Sequence, residues 1–178
     1  RWAAAPLRYL GRRVARPGIA EASLAKLPAR RLAQARTPKV IVSGMTRALE
    51  AILDRRGEVL AGKSTTIAWW DGRDLRLLVA LLNSRIVSGY YRRVFGGDAL
   101  AGGYLRVGPP QLRQVPVFDP LAPESAWARP VVAEIGALVD AIAADGLDAG
   151  RDAEIERRVA RLYGLSAAEA AALAADGT

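Results

Sequence analysis

LRLLVALLNSRIVSGYYRRVF, running from Leu75 to Phe95, is the stretch whose reading decides the fold. Leu78, Leu81, Leu82, Ile86 and Tyr90 recur at helical spacing and make one apolar stripe. Asp74 stands where an N-cap belongs, and Gly96–Gly97 where the helix must stop. Asn83–Ser84 interrupts the apolar face. Mid-helix asparagine is disfavoured by propensity. Asn83 therefore either hydrogen-bonds a neighbouring loop from inside or turns to solvent.

Upstream of this helix the periodicity changes. Lys39 to Ser43 (KVIVS) is β-branched and apolar and predicts a buried strand. Arg47 to Leu53 reads as a short helix or a second strand, and Asp54–Gly57 (DRRG) as a turn. Ser64 to Trp70 (STTIAWW) predicts another strand, closed by Asp71–Gly72. Downstream, a Gly-rich segment runs from Gly96 to Gly108, and Pro109–Pro110 opens a short helical turn. After Pro120 three helices are expected. The first follows Pro130, the second is capped by Asp152, and the third opens with the capping box Ser166/Glu169. These signals predict an α+β fold: a small mixed sheet packed on one long helix, followed by a helical C-terminal tail. Residues 1–37, broken by Pro6, Pro17 and Pro28, read as a linker or incomplete N-terminal part. Residues 38–120 are the expected core and residues 121–178 the helical tail.

The chain has 178 residues and a net charge of +8. It contains no cysteine and no histidine. Thiol nucleophiles, Cys/His zinc sites and imidazole acid–base chemistry are thereby excluded. No apolar run reaches the length of a membrane span, and no signal peptide is visible. A cytoplasmic location without membrane contact is expected. The first residue is Arg1, so a piece of a longer protein is expected. Charge is unevenly distributed. Residues 1–40 carry +9, residues 41–118 carry +5 and residues 119–178 carry −6. A basic face of this kind points to a polyanion, or to no more than a solvated surface in an arginine-rich proteome.

Gly57 to Ser64 (GEVLAGKS) matches the P-loop pattern literally. A P-loop needs a strand before it and a helix after it, so that amide groups and a helix N-terminus meet the phosphate. Here a charged turn precedes it and poor helix formers follow. The better reading is a turn that delivers Lys63 and Ser64 to an anion, or a plain surface turn. Tyr90, Tyr91, Arg92 and Arg93 end the long helix. They either hold phosphates or complement the helix dipole, with Tyr90 in the core. No carboxylate pair is arranged for acid–base work.

The ordered set of motifs resembles a known family. Leu77 to Val117 (LLVALLNSRIVSGYYRRVFGGDALAGGYLRVGPPQLRQVPV) is similar to the TaqI-like C-terminal specificity domain of adenine-specific DNA methyltransferases and fused restriction–modification enzymes. Pro38 to Val42, Asp54 and Ala61 to Thr65 fit the segment before the helix in that family, and Ile155 to Glu169 resembles its closing tail. The resemblance implies a target recognition domain that works beside a separate catalytic domain. S-adenosylmethionine and an Asn/Asp-Pro-Pro-Tyr/Phe motif belong to that catalytic domain, and this chain has no such motif. The chain is therefore expected to be non-catalytic and to hold no cofactor itself. Its expected partners are double-stranded DNA and the catalytic domain of the same parent chain, in phage defence.

On this expectation phosphate contacts come from Lys39, Arg47, Lys63, Arg92 and Arg93, assisted by Ser64 and Tyr91. Arg106, Gln111 and Arg113 suit base edges, since arginine reads guanine and glutamine reads adenine. Five neutralised phosphates would give a salt slope of about −4.5. The rivals are an assembly module of a defence complex, which predicts salt-insensitive protein binding, and a nucleotide-binding domain at Gly57 to Ser64, which predicts stabilisation by ATP.

Overall fold

The computed structural model describes residues 18–177 together with two short strands nearer the N-terminus. In chain order the elements are β1 (Leu7–Tyr9), β2 (Arg12–Val14), α1 (Glu21–Leu24), α2 (Ala29–Arg36), β3 (Lys39–Ser43), β4 (Met45–Thr46), β5 (Ala51–Asp54) and β6 (Thr65–Ala68). Then follow α3 (Leu75–Asn83), α4 (Arg85–Phe95), β7 (Leu105–Arg106), α5 (Pro109–Leu112), α6 (Arg129–Asp145), α7 (Ala149–Leu162) and α8 (Ala167–Asp176). The fold is α+β.

The main sheet has the order β5-β3-β6. Both of its pairings are antiparallel, so the expected mixed sheet has no parallel pair among the described residues. Short connections dictate this, because a parallel pair needs a long crossover. The cross-strand sets Val40/Leu53/Ala68 and Val42/Ala51/Thr66 share one face. That face packs on the helices: Val40 and Val42 are fully buried. The other face is covered by α2. Its Ala35 is buried, Arg31 donates to the carbonyl of Ala61 at 2.6 Å, and Lys39 Nζ donates to the carbonyl of Ala35 at 2.9 Å. The proposed linker over residues 1–37 lies partly outside the described residues. Within them, β1 and β2 form a hairpin and α2 is tied to the sheet.

The expected single long helix is two helices that meet at Ser84. Asp74 caps α3 as predicted, accepting from the Arg76 amide at 2.8 Å. At Ser84 the backbone turns extended (φ −65°, ψ 139°), and its hydroxyl accepts from the Ile86 amide. Glu156 of α7 closes the break. It accepts from Ser84 Oγ at 2.8 Å and from the Arg85 amide at 2.6 Å. Asn83 is fully buried. Its side chain accepts from the Ala51 amide at 2.9 Å and donates to the Ala51 carbonyl at 2.9 Å. The side chain thus acts as one further residue of sheet on the outer edge of β5. The break also resets the helical phase, so Tyr91 enters the core where Tyr90 was expected.

The tail is part of the same core. One continuous cluster of buried residues runs from Val40 through Leu77, Tyr91 and Ile135 to Leu162. α8 lies against α4 at Gly89, where a Cβ would fall 1.8 Å from the Leu173 carbonyl oxygen. Only glycine permits that approach. Pro130 sits in the first turn of α6, and the Ser166/Glu169 capping box is present. The cap of α7 is Asp148 rather than the expected Asp152, because the chain turns into helix as soon as Gly146 releases α6. Among the described residues no helix is long and apolar enough to cross a membrane.

Asn83→Ala leaves a buried N–H and a buried C=O of Ala51 without partners. Each such group costs about 1–3 kcal/mol. A stability loss of roughly 2–4 kcal/mol in urea denaturation is the expected result. A loss below about 1 kcal/mol would show that the amide does not hold the sheet edge.

Candidate nucleic-acid interface

Three loops cross at Gly44. Its amide donates to the Ser64 carbonyl at 2.8 Å, and its carbonyl accepts from the Val107 amide at 3.0 Å. A Cβ on Gly44 would lie 2.7 Å from the Ser64 oxygen, so the crossing needs glycine. Thr66 Oγ1 donates to the Val107 carbonyl at 3.2 Å and ties the same strands again. Beside the crossing, β4 pairs with β7, with Met45 opposite Arg106 and Thr46 opposite Leu105. Thr46 and Leu105 point inward and are buried, while Met45 and Arg106 face solvent.

This crossing gathers five of the residues expected to meet phosphate or bases. Arg47 follows β4 directly and lies over the Tyr104 ring, 5.2 Å from its centroid. Arg92 donates to the Arg47 carbonyl. Lys63 and Ser64 are exposed in the strand-entry turn, and Arg106 is exposed on β7. None of Arg47, Lys63, Arg92 and Arg106 makes an ion pair with a described acid. Gln111 and Arg113 sit apart from these, on and just after α5.

Elsewhere acids of the tail, and Asp119 just before it, hold arginines of the core. Arg55 and Arg76 meet Asp140 at 2.5 and 2.7 Å, Arg73 meets Asp119 at 2.6 Å, and Arg85 lies 3.3 Å from Asp152. The Arg73 guanidinium holds the Asp119 carboxyl below its usual range. Acids of the tail thus take Arg55, Arg76 and Arg85, while the cations at the Gly44 crossing have no acidic partner among the described residues.

Three expected contacts are corrected. Lys39 is fully buried and cannot reach DNA. It forms an ion pair with Asp54 and also donates to the carbonyls of Ala35 and Thr37, as a buried charge must. Tyr91 is fully buried, and its hydroxyl donates to the Arg106 carbonyl at 2.5 Å. Burial pushes its phenol up to about 12. It holds β7 from inside the core. Arg93 pairs with Asp176 of α8 at 2.5 Å and so belongs to the tail contact.

The P-loop likeness does not hold. The residues after Ser64 form β6, not a helix. The amides of Glu58 and Val59, which would have to face a phosphate, donate to the Asp54 carboxylate, each at 3.0 Å. The loop already holds an anion of its own chain.

Tyr104 and Met45 were not legible as site residues. Both are exposed, at 39 % and 56 %. The only signal was an aromatic residue within a Gly-Gly-Tyr-Leu-Arg strand beside arginines.

Burial pushes the Asp54 carboxyl up, but the Lys39 hydrogen bond and the amides of Glu58 and Val59 outweigh it and hold it below 3.8. A depressed folded pKa contributes stability that is complete above the unfolded value and is lost as pH falls through the folded one. Removing one partner of a buried pair costs about 3–5 kcal/mol. Asp54→Asn is therefore expected to lose stability in that range at pH 7, and to lose less than the parent on moving from pH 5 to pH 2 in urea denaturation. Equal losses over that acid interval would contradict the assignment. No protein-family model matches this chain, and no curated protein matches it.

Proposed function

We propose that this chain is the DNA-reading, target-recognition module of an adenine-specific DNA methyltransferase or restriction–modification enzyme. The reaction belongs, on this reading, to a separate catalytic domain that binds S-adenosylmethionine. The observation that carries the reading is the crossing at Gly44. Four cations without an acidic partner among the described residues stand there, one of them over an exposed tyrosine, on short loops braced by two sheets. Cations left unpaired on one face are the electrostatic footprint of a phosphate backbone.

Arg47, Lys63 and Arg92 are assigned to phosphates. Arg106 projects from β7 beside Met45, and its fork matches the O6 and N7 acceptors of guanine in the major groove. Tyr91 holds the backbone of Arg106 from below and so fixes where that fork points. Gln111 and Arg113 extend the surface along α5 as further readers of base edges. Lys39 and Arg93 drop out of the phosphate count.

Binding to a short duplex, followed by fluorescence anisotropy over a salt series, tests this. With three phosphates neutralised, log K is expected to fall against log salt with a slope of roughly −2.7. Arg47→Ala with Arg92→Ala is expected to make the slope shallower by about 1.8. Arg106→Ala is expected to narrow the gap between target and non-target duplexes. A flat salt response, or affinity unchanged in the double variant, would refute the proposal.

A further inference from the structure

The two edges of the main sheet are treated differently. Hydrogen bonds from Ser43 to Glu50 at 2.9 Å and from Gly44 to Ser64 at 2.8 Å fix the alternation along β3. Ser43 and Ile41 face β5, whereas Val42 and Val40 face β6. Thr66 and Ala68 therefore direct their backbone groups to β3, while those of Thr65 and Ile67 point out of the sheet. On the β5 edge the corresponding groups, those of Ala51, are covered by Asn83. On the β6 edge nothing among the described residues pairs with Ile67, and β6 ends the sheet order. All four residues of β6 are partly exposed. An open edge of this kind is a template for another strand.

A cavity of about 510 Å³ runs along this edge. Its apolar lining includes Trp70, Leu78, Leu82 and Leu112, on the sheet face that carries α3. Arg30, from the helix that covers the other face, also lines it, as does Arg113. Neither arginine makes an ion pair with a described acid.

We propose that the β6 edge is a docking slot for an extended peptide segment of a partner protein, one whose residues alternate apolar and acidic. The partner's main chain pairs with the N–H and C=O of Ile67 and Thr65. Side chains of an added strand alternate between the two faces. One set enters the apolar cavity, and the other meets Arg30. A nucleic acid offers rings and charge to the same cavity but no amide and carbonyl at two-residue spacing, so it leaves the edge unpaired. The slot is separate from the Gly44 crossing and does not depend on the DNA reading.

The probe is a fluorescein-labelled heptapeptide alternating glutamate with valine or leucine, titrated with the full chain. Saturable binding is expected, with added protection of the Ile67 amide in hydrogen exchange. N-methylation of the peptide's inward-facing amides is expected to weaken binding about tenfold, as loss of roughly 1.4 kcal/mol of hydrogen bonding implies. Exchanging its glutamates for lysine, or Arg30→Glu in the protein, is expected to weaken it at least fivefold. An unchanged thermal unfolding midpoint, followed by circular dichroism, serves as that variant's folding control. Ile67→Pro removes the outward donor, keeps the β3 pairing and is expected to abolish binding. No binding, equal binding of the N-methylated peptide, or displacement of the peptide by oligothymidine would each overturn the proposal.

Discussion

The side-chain amide of Asn83 pairs with the backbone of Ala51, and the rest of the structure depends on that one contact. A helix end normally leaves carbonyls without partners, and a sheet edge leaves an amide and a carbonyl exposed. One buried carboxamide joins the two problems. It ends α3 at the sheet, so the chain must restart as α4 with Ser84 as its cap and Glu156 behind it. The restart sets the phase that buries Tyr91. Tyr91 in turn holds the Arg106 carbonyl and hence β7. The position of the exposed cations at the Gly44 crossing thus follows from a neutral contact in the core.

Charge is sorted on the same scaffold. The carboxylates of α6, α7 and α8 take the arginines that face them, among them Arg55, Arg85 and Arg93. These pairs are partly exposed and individually weak in water. Their larger effect is on the shape of the field, because they offset the positive charge of Arg55, Arg85 and Arg93 and offset none at the Gly44 crossing. A basic total spread over all sides would attract polyanions without orienting them, whereas a one-sided distribution does both.

Much of this was legible in the sequence. The strands KVIVS and STTIAWW, the Asp74 cap, the Pro130 start and the Ser166/Glu169 box are local signals, and local energetics decide them. The break at Ser84 was visible only as an anomaly, since the partner that makes it favourable is thirty-two residues away in sequence. Lys39 shows the limit most clearly. From composition it is one more cation, and only the antiparallel register that sets it opposite Asp54 makes it a core residue. Arg93 and Arg92 are adjacent in sequence, yet one belongs to the tail and one to the crossing, because a helix sends neighbours about 100° apart. Tyr104 carried no periodic signal, because it lies in an isolated bridge with Leu100 just before the two-residue β7.

The claim that unites these observations is that one set of loops, and no other surface, receives a double helix. Amide chemical-shift mapping of the intact chain, titrated with a short duplex at moderate salt, addresses it directly. The account predicts shifts confined to residues 44–47, 62–64, 92 and 104–113, with α6 and α7 silent. Shifts spread evenly over the molecule, or centred on the helical tail, would contradict it.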